Sequence, residues 1–125
     1  MVLDSSALIA VILAEPGHQT VQKVMLSAPM LVIGSPTLTE TAIVLATRLK
    51  QDPRLLLNEF LRQAGVEVIP FDRNHFDVAV DAYLRFGKGR HPAALNFGDC
   101  FAYAVARVAG MPLLSTGRDF SQTDL

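Results

Sequence analysis

The sequence contains little sulfur, few aromatic rings and little charge. Its 125 residues include one cysteine, no tryptophan and only 18% charged side chains. A single cysteine cannot form an internal disulfide, so no oxidising compartment is required and we expect a cytoplasmic protein. The chain does not start with basic residues before an apolar stretch, and its longest apolar run, Ala7 to Ala14, is too short to cross a bilayer. We therefore expect no signal peptide and no membrane contact.

Hydrophobic residues, by contrast, make up half of the chain. This share excludes a disordered chain and a charged coiled coil. A chain of this length buries about two thirds of its surface on folding, which suffices for one core but not for two. We predict one domain over residues 1–125. The net charge of −1 gives no support to a simple nucleic-acid binder, because such proteins are usually basic overall.

Short apolar runs alternate with segments of helical spacing along the chain. Strands are predicted at 1–4, 30–33, 66–70 and 111–115, and helices at 7–14, 19–26, 35–50, 53–64, 73–86 and 99–109. Ser5 or Ser6 is the expected cap of the first helix and Ser35 that of the third, while Gly65 and Gly110 are expected to end the fourth and sixth helices. The apolar face of the helix over 73–86 is predicted from residues three and four apart, namely Phe76, Val80, Tyr83 and Leu84. Alternation of this kind predicts an α/β fold with a parallel sheet between helices.

Four acidic residues fall where such a sheet binds ligands, outside the carboxyl ends of its strands. Asp4 ends the first strand, Glu40 follows the second, Asp99 opens the helix before the last strand, and Asp119 follows that strand. Clustered carboxylates repel one another and need a cation. Hard oxygen ligands suit Mg²⁺ or Mn²⁺ and not zinc. The pattern therefore indicates metal-dependent phosphodiester hydrolysis.

Each of these acids also has a purely structural interpretation. Asp4, Asp99 and Glu40 lie near helix starts, where a carboxylate caps the helix or complements its dipole. Asp119 suits a turn. Only their joint placement favours a site. Cys100 is expected to be a small buried apolar residue, and the phenylalanines beside it, Phe97 and Phe101, are expected to fill the core.

The motifs together resemble the PIN-domain family, and in particular the VapC toxins of bacterial VapBC toxin–antitoxin pairs. The resemblance rests on VLDSSALIA at the start, PTLTE around Glu40, GKGRHPAALNFGDCFAYAVA in the second half, and LLSTGRDFSQTDL at the end. It covers nearly the whole chain. The NFGDCFAYA segment preceded by GKGRHPA is its most specific part, whereas LDSSA alone would be weak.

The resemblance implies a three-layer α/β/α PIN domain whose parallel sheet has four or five strands. It implies an endoribonuclease toxin that uses Mg²⁺, with Mn²⁺ able to substitute, forms a homodimer and is inhibited by a cognate VapB-type antitoxin. Asp4, Glu40 and Asp99 match the acids of the family's site. Asp4 and Asp99 would supply most of the metal coordination, and Glu40 would act through a bound water or a second metal.

The end of the chain departs from the family's pattern. Many PIN proteins carry T-x-D-x-D-F after the last strand, whereas this chain reads STGRDF over 115–120. Gly117 stands in place of the first aspartate, and Asp119 matches the second. Asp119 then reaches the site through water, or three acids suffice. Ser6 and Asn96 match polar positions that often line the pocket, and the resemblance implies that they contact the substrate. A helix cap and a loop amide are their alternative roles.

Basic residues crowd into the segment just before Asp99. They are Arg85, Lys88, Arg90 and His91. An RNA backbone that passes the metal needs positive charge nearby, so we expect Arg85, Lys88 and Arg90 to hold RNA. The alternative is an ordinary solvated loop.

Other functions fit the residues less well. A phosphoryl-transfer receiver domain needs paired acids after the first strand and a lysine after the last, but Asp4 is followed by serines and no lysine occurs beyond Lys88. An aspartyl-nucleophile phosphatase needs a D-x-D start, which is missing. A non-catalytic PIN-fold module that binds a partner remains open, as does, less favourably, a small-molecule phosphatase.

Overall fold

The computed structural model describes residues 1–125 and contains one parallel sheet of four strands in the order β3-β2-β1-β4. The strands are β1 Val2–Leu3, β2 Leu31–Gly34, β3 Val66–Ile69 and β4 Leu113–Leu114. The helices are α1 Ser5–Ile12, α2 His18–Ser27, α3 Ser35–Leu49, α4 Arg54–Ala64, α5 Arg73–Phe86 and α6 Phe97–Ala109, followed by a 3₁₀ helix, Asp119–Gln122. The predicted order of elements and the parallel sheet are confirmed.

The two faces of the sheet are covered by different helices. On β1, Val2 packs with Val32 and Val105 toward α6, whereas the next residue, Leu3, joins the core formed with α1 to α4. Successive strand residues point to opposite faces, so this alternation divides the apolar side chains between two layers. The three-layer α/β/α architecture is therefore confirmed.

The helix boundaries lie close to those predicted, with two differences at the caps. Gly65 and Gly110 end α4 and α6 in the left-handed conformation, as their positions suggested. The cap of α1, however, is Asp4 and not Ser5 or Ser6, because the Asp4 carboxylate accepts a hydrogen bond from the backbone N–H of Ser6. In α3 the cap is Gly34, and Ser35 is already helical.

The predicted inner face of α5 was wrong. The large apolar residues Phe76, Val80, Tyr83 and Leu84 are exposed, and the buried residues are His75, Ala79, Ala82 and Phe86. The reason is the partner helix: Ala79, Ala82 and Phe86 of α5 pack in one cluster with Cys100, Tyr103 and Ala104 of α6. Small residues on both helices let the backbones approach closely, which leaves the bulkier side of α5 in solvent.

None of the helices combines the length and the apolar character that a membrane span requires.

Candidate active site

The four predicted acids meet at one edge of the sheet. All strands are parallel, so the segments after β1, β2 and β4 emerge on the same side. The first turn of α6 reaches this edge as well. Burial is the main cause of the raised pKa of Asp99, and the negative charges of Asp4, Asp119 and Glu40 raise it further, so each of these three carboxylates lies close enough to act on Asp99.

Asp4 is the most enclosed of the four acids, with 6% of its surface exposed. Its backbone N–H donates to the carbonyl of Leu114 in the neighbouring strand, and its carboxylate caps α1. Burial raises the pKa of the Asp4 carboxyl, while hydrogen bonds from Ser6 act in the opposite direction. A buried carboxylate whose charge is only partly compensated favours a cation.

Ser6 connects Asp4 to the segment after β4. Its hydroxyl donates to Asp4 Oδ2 at 2.6 Å and accepts from the backbone N–H of Thr116 at 3.1 Å. The hydroxyl of Ser6 therefore both donates and accepts a hydrogen bond within the protein. These hydrogen bonds allow Ser6 to orient Asp4, and the predicted contact of Ser6 with substrate stays a prediction.

Asp99 belongs to a capping box at the start of α6. The Asn96 side chain accepts from the Asp99 N–H at 2.9 Å, and Asp99 Oδ2 accepts from the Asn96 N–H at 3.0 Å. The side-chain oxygen of Asn96 is engaged as the cap of α6, and the predicted contact of Asn96 with substrate stays a prediction. Burial of Asp99, together with the three neighbouring acids, raises its pKa to about 6 despite this hydrogen bond.

Glu40 and Asp119 approach from two other segments. The Glu40 carboxylate lies directly over Gly98 in the first turn of α6. Asp119 is exposed and opens the 3₁₀ helix, and its charge raises the pKa of both Asp4 and Asp99. A side chain at Gly117 would meet nothing within 4 Å. The aspartate missing from the family pattern is therefore absent without any steric reason.

The donor set at this edge fits Mg²⁺. No three of the His, Cys, Asp and Glu side chains converge closely enough to hold one ion between them. Mg²⁺ does not require three, because it keeps several waters and is commonly held by one or two carboxylates. In Asp4 and Asp99 the helix-start hydrogen bonds go to Oδ2, which leaves Oδ1 of each carboxylate for a ligand.

The predicted RNA-contacting residues divide into two groups. Arg85 is held by Asp124 at 3.1 Å and by Asp81 at 3.6 Å, so its charge is already paired. Lys88 and Arg90 are exposed and form no salt bridge. Their loop is closed by backbone hydrogen bonds between its two ends and leads directly into α6. Of the three predicted RNA contacts, only Lys88 and Arg90 therefore carry a charge without a carboxylate partner, and their contact with RNA stays a prediction.

Comparison with known proteins identifies the family. The profile of the PIN domain matches residues 1–125. The chain belongs to the PIN-domain family. This PIN domain is 40% identical to a protein named Ribonuclease VapC from Mycolicibacterium smegmatis over 125 residues, which is all of this chain and 97% of that protein. It is 41% identical to Ribonuclease VapC36 from Mycobacterium tuberculosis over 126 residues, covering all of this chain and 91% of the relative.

Two solved structures share the fold of this PIN domain. One is VapC20 from M. tuberculosis, described as a sarcin–ricin loop cleaving toxin, with a TM-score of 0.77, 20% identity and coverage of 96% of this chain and 92% of that one. The other belongs to a toxin–antitoxin complex from Klebsiella pneumoniae, with a TM-score of 0.73, 16% identity and coverage of 98% and 92%. At these identities the likeness concerns the fold.

Three features of the PIN domain were not found by sequence reasoning. Phe97, expected in the core, is 79% exposed beside the acids. Asp124 accepts a hydrogen bond from the Tyr103 hydroxyl at 2.5 Å and thereby fastens the last residues to α6. Gly98 lies against Glu40. No local proline or capping signal marks the last two contacts, because each joins segments that are far apart in the sequence.

Proposed function

We propose that this chain is a metal-dependent endoribonuclease of the VapC type, the toxin of a toxin–antitoxin pair. The observation that carries the proposal is the convergence of Asp4, Glu40, Asp99 and Asp119 from four separate segments at one edge of the sheet. The identity of 40% to a full-length relative named Ribonuclease VapC supports RNA as the substrate.

In this proposal Asp4 and Asp99 hold one Mg²⁺, which Mn²⁺ can replace. The bound ion would neutralise a phosphodiester and lower the pKa of an attacking water. Ser6 and Asn96 keep the two aspartates oriented through the hydrogen bonds described above. Glu40 and Asp119 orient water beside the two aspartates, and the exposed cations of Lys88 and Arg90 hold the RNA backbone.

The proposed partners follow from the same assignment. A ribonuclease toxin needs a cognate antitoxin of the VapB type, and its RNA substrates lie in the cytoplasm. We further propose a homodimer. Its support is the exposed apolar side of α5 together with Phe97, because monomeric proteins seldom leave a large contiguous apolar patch in solvent.

The decisive experiment is cleavage of total cellular RNA by the purified protein with Mg²⁺, with Mn²⁺ and with EDTA. We compare the parent with Asp4→Asn, which removes the charge but keeps a good helix cap. Asp77→Asn, an exposed aspartate on α5, is the matched control. We expect discrete cuts that need metal, are lost in Asp4→Asn and persist in the control.

Other outcomes would identify a different function. Cleavage by Asp4→Asn at the parent's rate would contradict the proposed metal site. A folded parent that makes no cut but binds a partner would indicate the non-catalytic module. Metal-dependent hydrolysis of small phosphate esters without RNA cleavage would indicate a phosphatase.

A further inference from the structure

The Glu40 carboxylate rests on a residue that has no side chain. A Cβ atom built on Gly98 would lie 2.9 Å from Glu40 Cδ and 3.0 Å from Oε1, and still closer to Oε2. Side-chain carbons do not approach one another this closely, so any residue other than glycine would occupy the space of the carboxylate. The Glu40 carboxylate therefore packs directly against the backbone of α6 at Gly98.

The position of this contact matters because Gly98 directly precedes Asp99. Glu40 belongs to α3 and Asp99 to α6, and the contact over Gly98 places the Glu40 carboxylate against the residue that precedes Asp99. The first turn of α6 also carries the positive end of the helix dipole, which offsets part of the cost of bringing a second negative charge there.

We propose that Gly98 is a positioning residue that holds Glu40 in place beside Asp99 for RNA cleavage. The inference rests on the proposed ribonuclease function and adds to it a residue that touches neither metal nor substrate. The proposal also predicts that a substitution at Gly98 lowers activity without lowering stability. The atoms that an alanine at 98 would meet are the far end of a flexible side chain, so Glu40 can swing away and the fold need not change.

The test is a double-mutant cycle with Gly98→Ala and Glu40→Ala, measured as kcat/KM for RNA cleavage and as melting temperature. A displaced group near the reacting atoms costs up to about 100-fold in rate, so we expect each single variant to lose about 10- to 100-fold. The double variant should be no slower than Glu40→Ala, because alanine at 98 then has no carboxylate to displace. The melting temperature of Gly98→Ala should not fall.

A second glycine provides the control for a merely structural role. At Gly34 a Cβ would lie 2.7 Å from Val105 Cγ2, a branched side chain in the core. Gly34→Ala should therefore lower the melting temperature, and any loss of activity should add to that of Glu40→Ala. The proposal is overturned if Gly98→Ala cleaves at the parent's rate. It is also overturned if the Gly98→Ala substitution slows the Glu40→Ala variant by the same factor by which it slows the parent.

A crystal structure of Gly98→Ala separates this inference from the proposed function. Failure of the parent to cleave RNA would remove the function. The position of Glu40 in the variant would still test the positioning role of Gly98. A carboxylate that has moved away from the first turn of α6 supports this role, and a carboxylate that has not moved overturns it.

Discussion

Helices α5 and α6 begin with the same motif in opposite electrostatic surroundings. At α5, Asp72 is the cap and His75 completes a capping box; at α6, Asn96 is the cap and Asp99 completes it. Hydrogen bonds from the backbone N–H groups of His75 and Asn74 hold the pKa of Asp72 below its usual value. The pKa of Asp99 is raised to about 6.

The difference lies in what surrounds each helix start. Asp72 is exposed and its neighbours stabilise the ionised carboxylate. Asp99 is half-buried and faces three further acids from other segments. A capping motif alone therefore does not distinguish a structural aspartate from one in a functional site. The distinguishing property is charge that the local hydrogen bonds leave uncompensated, which is typical of functional sites.

The largest expected effect comes from substitution of the aspartates at the two helix starts. Asp99→Asn should abolish metal-dependent RNA cleavage and metal binding, because it removes one of two proposed ligands. It should also stabilise the metal-free protein at neutral pH by about 1 kcal/mol, after allowance for solvent screening at this half-exposed position. RNA cleavage, Mn²⁺ titration and thermal unfolding in EDTA measure these effects.

Asp72→Asn is the matched control, since asparagine also caps helices well. It should leave cleavage and metal binding unchanged and slightly lower stability, because a favourably placed charge is lost. The opposite signs of the two stability changes are the critical result. Equal loss of activity in both variants would mean that the two capping boxes do not differ in function.

A smaller effect is expected from pH. The pKa of Asp99 is higher in the folded protein than the usual 3.8, so the folded state binds this proton more tightly between pH 3.8 and about 6. The stability contributed by Asp99 therefore falls as pH rises through this window and is level above it. Metal affinity should rise over the same window, because the ion binds the ionised carboxylate and releases the proton.

Thermal unfolding in EDTA and Mg²⁺ titrations across this range test the expected signs. Asp72 should behave in the opposite way, since its lowered pKa contributes stability that is lost as the solution becomes more acidic. In Asp99→Asn the fall in stability that Asp99 causes between pH 3.8 and about 6 should disappear. A parent whose metal affinity does not change between pH 5 and pH 7 would contradict the proposed role of Asp99.

The smallest expected effect concerns the basic residues near the two helix starts. Lys88 and Arg90 precede α6, and Arg73 opens α5; all three are exposed. Each phosphate contact to single-stranded RNA contributes about 0.7 to the slope of log affinity against log salt. The double variant Lys88→Ala, Arg90→Ala should lower that slope by about 1.4, whereas Arg73→Ala should leave it unchanged. A slope unaltered in the double variant would exclude this loop from the RNA path.

The sequence predicted the α/β order, the parallel sheet and the edge at which the acids meet, because these follow from local patterns and from the geometry of parallel strands. Gly65 and Gly110 mark helix ends through backbone conformation alone. Such features need no knowledge of which segments pack together.

Features that depend on packing between distant segments could not be predicted. The spacing of Phe76 and Val80 is correct for a helix face, but only the small residues of α6 decide that this face lies in solvent. The role of Ser6 depends on Thr116, and the charge of Arg85 is paired by Asp124. Each partner lies far along the chain, and no local signal connects the two.

The register of β1 has a consequence for how the protein is made. Val2 pairs with Val32 on one side and with Leu113 on the other, so the strand that carries Asp4 lies between early and late parts of the chain. Long-range strand pairing of this kind forms slowly and only after both partners exist. During synthesis β4 leaves the ribosome last. The pairing of β1 with β4, which brings Asp4 next to the segment that follows β4, therefore forms only after Leu114 has been synthesised.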